Sequence, residues 1–114
     1  MNEMLAQGLN RVTLIGRLGR APEMRYTPNG KPVTSFSIVT THTWISSNNQ
    51  VQEETDWFNI VAWGSLAEAC KESLTKGQPV YVEGRVKTRR WADTDNVSHS
   101  WAEVVAQSVV SLSR

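Results

Sequence analysis

Between residues 55 and 65 the chain reads TDWFNIVAWGS, and a strict alternation runs through it. Successive side chains of a β-strand point to opposite faces, so Trp57, Asn59, Val61 and Trp63 share one side. Phe58, Ile60 and Ala62 share the other, and that set has the composition of a core face. The first set joins two indoles to an amide, a mixture that a core does not need. At ~3.3 Å per residue the two indoles stand about 20 Å apart along the strand.

The same period of two recurs on either side. In RVTLIGRL (11–18), Val12, Leu14 and Leu18 fall on one face, and Gly16 and Gly19 bracket the expected strand end, where glycine suits a bulge or sharp bend. TPNG (27–30) is a turn, with Pro28 presetting φ. A second strand over about 32–44 is rich in Val, Thr, Phe and Ile, with Phe36 and Ile38 facing inward. ISSNNQVQEE (45–54) is polar and aperiodic and reads as a long loop. SLAEACKESLTKG (65–77) changes the period: Leu66, Ala69, Cys70 and Leu74 form a helical stripe. Ser65 with Glu68 reads as a capping box, and Gly77 as the stop signal. A fourth strand follows at about 79–91, a turn through ADTDNVS, and a fifth strand over about 99–112. The order β-β-β-α-β-β fits an all-β, five-stranded OB-fold Greek-key barrel with one helix between strands three and four. A single domain over 1–114 is expected, with a short flexible N-terminus over about 1–8.

Twelve basic and eleven acidic residues leave a net charge of +1, which argues against a generally cationic arm but not against local patches. A lone Cys70 excludes an internal disulfide, and with only His42 and His99, far apart, no usual zinc site forms. Cys70 lies on the apolar stripe of the helix, as a core thiol does. Asp93 and Asp95 imitate the start of a calcium loop but lack its Gly and closing Glu. Glu53, Glu54 and Asp56 read as a solvated strand entry. Gly16 to Gly19 matches G-x-x-G outside the inter-helix context where that clamp works, and Asn96-Val97-Ser98 is a glycosylation acceptor only in a secreted chain. No metal, cofactor or enzymatic activity is expected. MNEMLAQGLN shows no export or transit pattern, and no run approaches ~20 apolar residues. A cytoplasmic protein is therefore expected.

The fourth strand, VYVEGRVKTRRW (80–91), repeats the mixture of the third. Val80, Val82 and Val86 fall on one face; Tyr81, Glu83, Arg85, Lys87, Arg89 and Trp91 fall on the other. Trp44 ends the second strand. Two readings fit. The indoles could cap the barrel or fill a subunit interface, as buried tryptophans do. Alternatively they are stacking platforms in a positively lined groove, since phosphates need cations and unpaired bases need flat partners. Taken together the residues favour the groove.

LNRVTLIGRLGRAPEMRYTPNGKPVTSFSIVT, followed by TDWFNIVAWGSLAEACKESLTKGQPVYVEGRVKTRRW, closely resembles the bacterial and organellar single-stranded DNA-binding protein family over about residues 9–112. RYTPNG, W-x-x-x-x-x-W-G, KG-x-x-VYVEG and T-R-R-W are its most specific pieces. The resemblance implies an OB-fold, a homotetramer built as a dimer of dimers, and binding of single-stranded DNA without strong sequence preference during replication, recombination and repair. It also implies a nucleoid-associated location. It places base stacking on Trp44, Trp57, Trp63 and Trp91, phosphate contacts on Arg11, Lys76, Lys87, Arg89 and Arg90, and an oligomer interface near strand one, Phe58 and Tyr81.

Three departures stand out. Trp63 occupies a position where relatives more often carry Phe, which enlarges the stacking surface. Asn59 and the uncharged ISSNNQVQ stand where relatives often carry positive charge. The chain stops at Ser113-Arg114, whereas relatives continue into a Gly/Pro/Gln-rich tail with an acidic, Phe-terminated tip, so tail-dependent partner enzymes are not expected. A primosome-type OB adaptor would not need four aligned indoles. A purely structural oligomer subunit would leave Lys87, Arg89 and Arg90 unexplained.

Overall fold

The computed structural model describes residues 8–112; the N-terminal segment 1–7 and the end at residues 113–114 lie outside the described residues. Five strands and one helix follow in the order β1 (Val12–Tyr26), β2 (Pro32–Ile45), β3 (Val51–Trp63), α1 (Ser65–Ser73), β4 (Pro79–Ala92) and β5 (Ser98–Ser111). They close into a barrel with strand order β1-β2-β3-β5-β4. Every neighbour pair is antiparallel except β3 with β5, which run parallel. A closed five-stranded barrel with its helix between β3 and β4 is the OB-fold.

Alternation puts the apolar residues inside. Leu18, Phe36, Ile38, Ile60, Ala62, Val80, Val82, Val104 and Ala106 form the core, with Val12, Leu14 and Phe58 packed against it. Ala67, Cys70 and Leu74 of the helical segment complete the same cluster, so α1 plugs one end of the barrel. The buried Thr34 hydroxyl donates to the Ala67 carbonyl at 2.7 Å and ties β2 to the plug. Burial pushes the Cys70 thiol up to about 11, which keeps it protonated and unreactive at neutral pH.

Three local expectations change. β1 does not end at Leu18 but runs on to Tyr26, absorbing two register shifts against β2, between Leu18 and Arg20 and between Arg20 and Glu23. Gly16 and Gly19 therefore lie within a bent strand rather than at its end. The polar stretch 45–54 is a hairpin tip rather than a long loop: Ile45 pairs with Val51 and Trp44 with Gln52 around a tight turn, in which Asn49 (φ 65°) donates its N–H to the Ser46 carbonyl at 2.9 Å. Its alternation is illegible because both faces of this hairpin are exposed. Finally, the helix has Gly64 at its N-cap with φ 66° and no side-chain cap, so Ser65 and Glu68 form no capping box. The sharp exit from β3 demands a positive φ where a serine cap would sit. At the other end the helix stops at Ser73, because Leu74 turns extended to bury its side chain, and Gly77 (φ 87°) serves the following turn.

The hairpins β2–β3 and β4–β5 extend beyond the barrel as two arms, exposed over residues 41–45, 85–92 and 98–102. The Cα radius of gyration, 17.2 Å, accordingly exceeds the about 13 Å of a compact 100-residue domain. No helix among the described residues is long and apolar enough to cross a membrane.

The β4–β5 arm leaves the barrel at a bulge. Glu83 pairs with Ser108 but Gly84 with Ala106, so Gln107 is extra. The crossing is so close that a Cβ on Gly84 would lie 2.1 Å from the Val105 carbonyl oxygen and 2.9 Å from its carbon. Both atoms are backbone and cannot swing aside. Gly84→Ala should therefore cost about 1–3 kcal/mol, the usual cost of overpacking, in chemical denaturation. A loss within the roughly 0.5 kcal/mol of an ordinary surface change would show that the crossing relaxes.

Candidate nucleic-acid interface

The outward face of β3 carries Trp57, Asn59 and Trp63, and its inward face carries Ile60 and Ala62, both fully buried. Trp57 lies against β1 at Gly19, where an added Cβ would stand 2.5 Å from the indole ring and 2.8 Å from a Val39 methyl. The missing side chain on β1 is what lets the indole lie across that strand.

Two hollows open along this face. The first, about 580 Å³, is lined by Trp57, Asn59, Arg20, Ser37 and Lys76 among others. The Ser37 hydroxyl is buried there without a hydrogen-bond partner, the one such side-chain atom among the described residues. The second, about 530 Å³, is lined by Trp63, Asn59, Arg20, Arg25, Arg89, Trp101 and Glu103 among others. Arg20 and Asn59 belong to both, so the two hollows form one groove. Glu103 is 4% exposed, and its Oε2 accepts from Nε of Arg89 at 2.8 Å. This pair fixes the guanidinium at the groove wall and leaves its terminal N–H groups as donors.

Beyond the groove, the β4–β5 arm sets Lys87, Arg89 and Trp91 opposite Glu103, Trp101 and His99. Trp91 stacks on His99 with centroids 5.2 Å apart and meets Trp101 edge-on at 6.1 Å and 75°. The arm's tip is built on Asp93. Its Oδ1 accepts the N–H groups of Asp95 and Val97 at 2.9 Å each, its Oδ2 lies 2.8 Å from His99 Nε2, and Asn96 takes φ 64°. The His99 hydrogen bond, with help from the backbone donors, holds the Asp93 carboxyl below its ordinary range. On the other arm, His42 and Trp44 stack at 5.5 Å.

The structure thus brings Trp57, Trp63, Lys76 and Arg89 to one groove, and places Trp91 with Arg90 beside a smaller hollow on the β4–β5 arm. Trp44 stands apart on the β2–β3 arm. Arg11 is ion-paired with Glu83 and, like Lys87, lines neither hollow of the groove. Tyr81 is half-buried, and Phe58 packs against the core. Sequence reasoning missed Arg20, Arg25 and Trp101. The two arginines were hidden by ending β1 early. Trp101 was legible, because Val104 and Ala106 face inward and alternation places Trp101 and Glu103 on the other side.

Residues 9–112 match the single-strand binding protein family. The chain belongs to that family. It is 43% identical over 109 residues to single-stranded DNA-binding protein 1 of Chlorobaculum tepidum, covering 95% of this chain and 67% of the relative. To the single-stranded DNA-binding protein of Neisseria meningitidis it is 44% identical over 104 residues, covering 91% of this chain and 60% of the relative. The chain thus spans about two thirds or less of these relatives' lengths. Among solved structures, a Plasmodium falciparum SSB in complex with single-stranded DNA superposes with a TM-score of 0.86 at 30% identity, covering 99% of this chain and 100% of the other. A deletion mutant of the single-stranded DNA-binding protein from Thermus aquaticus gives 0.82 at 32% identity, covering 93% of this chain and 51% of the other.

The tip of the β4–β5 arm in this family member carries a pH dependence. A lowered carboxyl pKa means that the native tip favours ionised Asp93, so its contribution is complete above the ordinary value of 3.8 and is lost as pH falls through the lowered value. Amide resonances of Asp95 and Val97 should therefore shift together below pH 3.8, and Asp93→Asn should abolish that titration. Shifts centred above 3.8 would assign the tip to another group.

Proposed function

We propose that this chain is a single OB-fold domain, spanning 1–114, that binds single-stranded DNA without strong sequence preference and protects it during replication, recombination and repair in the cytoplasm. One observation carries the reading: all five tryptophans keep between 40% and 63% of their surface exposed. Indoles are ordinarily among the most buried side chains by area, so five outside one small core need an external partner. Unpaired bases supply flat faces for them, and the cations beside them suit the phosphates. Bases stack on Trp57 and Trp63 in the groove and on Trp44 and Trp91 along the arms. Lys76 and Arg89 hold phosphates in the groove, and Lys87 and Arg90 do so along the β4–β5 arm. Arg11, already paired with Glu83, contributes least. The DNA complex of the Plasmodium falciparum relative supports this reading.

The proposal extends to assembly as a homotetramer, a dimer of dimers. Ile15 on β1 stands opposite Tyr81 on β4, which stands opposite Val110 on β5. Ile15 is 62% and Val110 48% exposed, so the three form an apolar row across the outer sheet surface, of the kind subunit contacts cover. Tyr81 is the interface residue on this reading; Phe58, packed on the core, adds its remaining exposed edge.

Three measurements test these proposals. Trp57→Ala should lose about 1–3 kcal/mol of affinity for oligo-dT with the fold intact. In a plot of log affinity against log salt, Lys76→Gln should flatten the slope by about 0.7, while Arg11→Gln leaves it unchanged. Unchanged affinity in Trp57→Ala would refute the groove, and equal slopes in all three proteins would refute the phosphate assignment. For assembly, light scattering should give the mass of a tetramer, and Tyr81→Arg a smaller species. A monomer at micromolar concentration in the unaltered protein would rule the tetramer out.

A further inference from the structure

We propose that Trp101 is a further base-stacking platform, which carries the single strand from the β3 groove onto the β4–β5 arm. The inference rests on the DNA-binding reading above and adds a site to it. Trp101 keeps 52% of its surface exposed, as much as Trp91. It belongs to the outward set of β5, above the buried Glu103, and it walls the same hollow as Trp63. The two indoles lie at opposite ends of the β3–β5 seam, Trp63 three residues after Ile60 and Trp101 three residues before its partner Val104, so they offer separate faces to a strand.

Its surroundings suit a nucleotide. Arg89 is its register partner on β4, and Glu103 holds that guanidinium in place at 2.8 Å. A phosphate passing between platforms therefore meets a cation that is already oriented, with its terminal N–H groups unused by Glu103. Trp91 carries a parallel neighbour, His99, on its ring at 5.2 Å and 21°. Trp101 has only the near-perpendicular approach of Trp91 at 6.1 Å and 75°, and no described ring stacks parallel to it. Edge-on contact with Trp91 fixes the orientation of the indole while a flat face stays available. A strand leaving Trp63 thus crosses Arg89 and reaches Trp101 before Trp91.

The competing role for Trp101 is to prop Trp91, and the experiment separates the two. Oligo-dT affinity is measured at one salt concentration for the full chain and for Trp101→Ala, Trp101→Phe, Trp91→Ala, Trp57→Ala and the Trp91→Ala/Trp101→Ala pair. Trp101→Ala should weaken binding roughly five- to hundredfold, and Trp101→Phe should retain most of the affinity. The pair should bind several-fold more weakly than Trp91→Ala alone. Affinity within twofold of the unaltered protein for Trp101→Ala, or a pair no weaker than Trp91→Ala, overturns the proposal. A loss confined to Trp57→Ala would sink the Trp101 site and leave the groove standing; silence at both positions would sink both. If Trp101→Ala lowers the melting temperature, photocrosslinking of the unaltered protein to iodouracil-substituted oligo-dT decides. An adduct mapped to Trp101 supports the site, and adducts confined to the other indoles overturn it.

Discussion

The parallel seam between β3 and β5 pairs only Ile60 with Val104 and Val61 with Val105, yet the barrel closes through it. The groove depends on that short contact. Because the strands meet for so few residues and then diverge, the outward face of β3 opens onto β5 rather than being covered by it. The groove lies in that divergence, with Trp63 at one side and Glu103 and Trp101 at the other. The seam itself is held by burial. Ile60 and Val104 sit in the core with Phe36, Ile38 and the helix residue Ala67. The helix is thus more than a connector: by plugging the barrel it keeps the seam dry, and a dry seam keeps its few hydrogen bonds worth having.

Charge in this molecule acts locally. A net charge of +1 makes no long-range field, but the fold gathers Arg20, Arg25, Lys76 and Arg89 around exposed indoles. It also handles its acids deliberately. Glu83 holds Arg11, and the buried Glu103 holds Arg89. The first pair is exposed on the basic side and contributes little to stability. The second has a buried carboxylate, so its value lies in orientation: it tethers the guanidinium at the groove wall, and on the proposed reading that guanidinium loses less freedom when it meets a phosphate. On the proposed reading, such a groove would recognise the features common to every nucleotide, a flat ring and a phosphate, and that chemistry is indifferent to sequence.

The arms extend the same logic past the core. Neither face of the outer β4–β5 or β2–β3 hairpin is buried, so no hydrophobic pattern holds their register. Short-range chemistry does it instead. Asp93 gathers two backbone N–H groups and His99 at one tip, while Ser46, Asn49 and Gln50 close the other. The cross-strand stack of Trp91 on His99 stiffens the β4–β5 ribbon behind its turn, while Trp44 stacks on His42 within β2. Surfaces of this kind are stable enough to persist and exposed enough to bind.

The sequence by itself determined the barrel, because strands buried on one face alternate, and Ile60, Ala62, Val80 and Val82 keep that period, although the β3–β5 seam also buries Val61 on the other face. It also placed Trp57 and Trp63 on the face opposite Phe58, Ile60 and Ala62, which supply the core. It did not reveal that 45–54 is a hairpin or that β1 reaches Tyr26, because strands exposed on both faces carry no apolar period and bends are set by neighbouring strands. Only the tertiary structure decided which outward residues meet. Arg89, Trp63 and Trp101 come from strands distant in the chain and converge because β5 joins β3 at the seam; Arg11, equally basic, is carried to the β4 side and neutralised by Glu83. Alternation along one strand fixes a side chain's face, whereas its partners depend on which strands barrel closure makes adjacent.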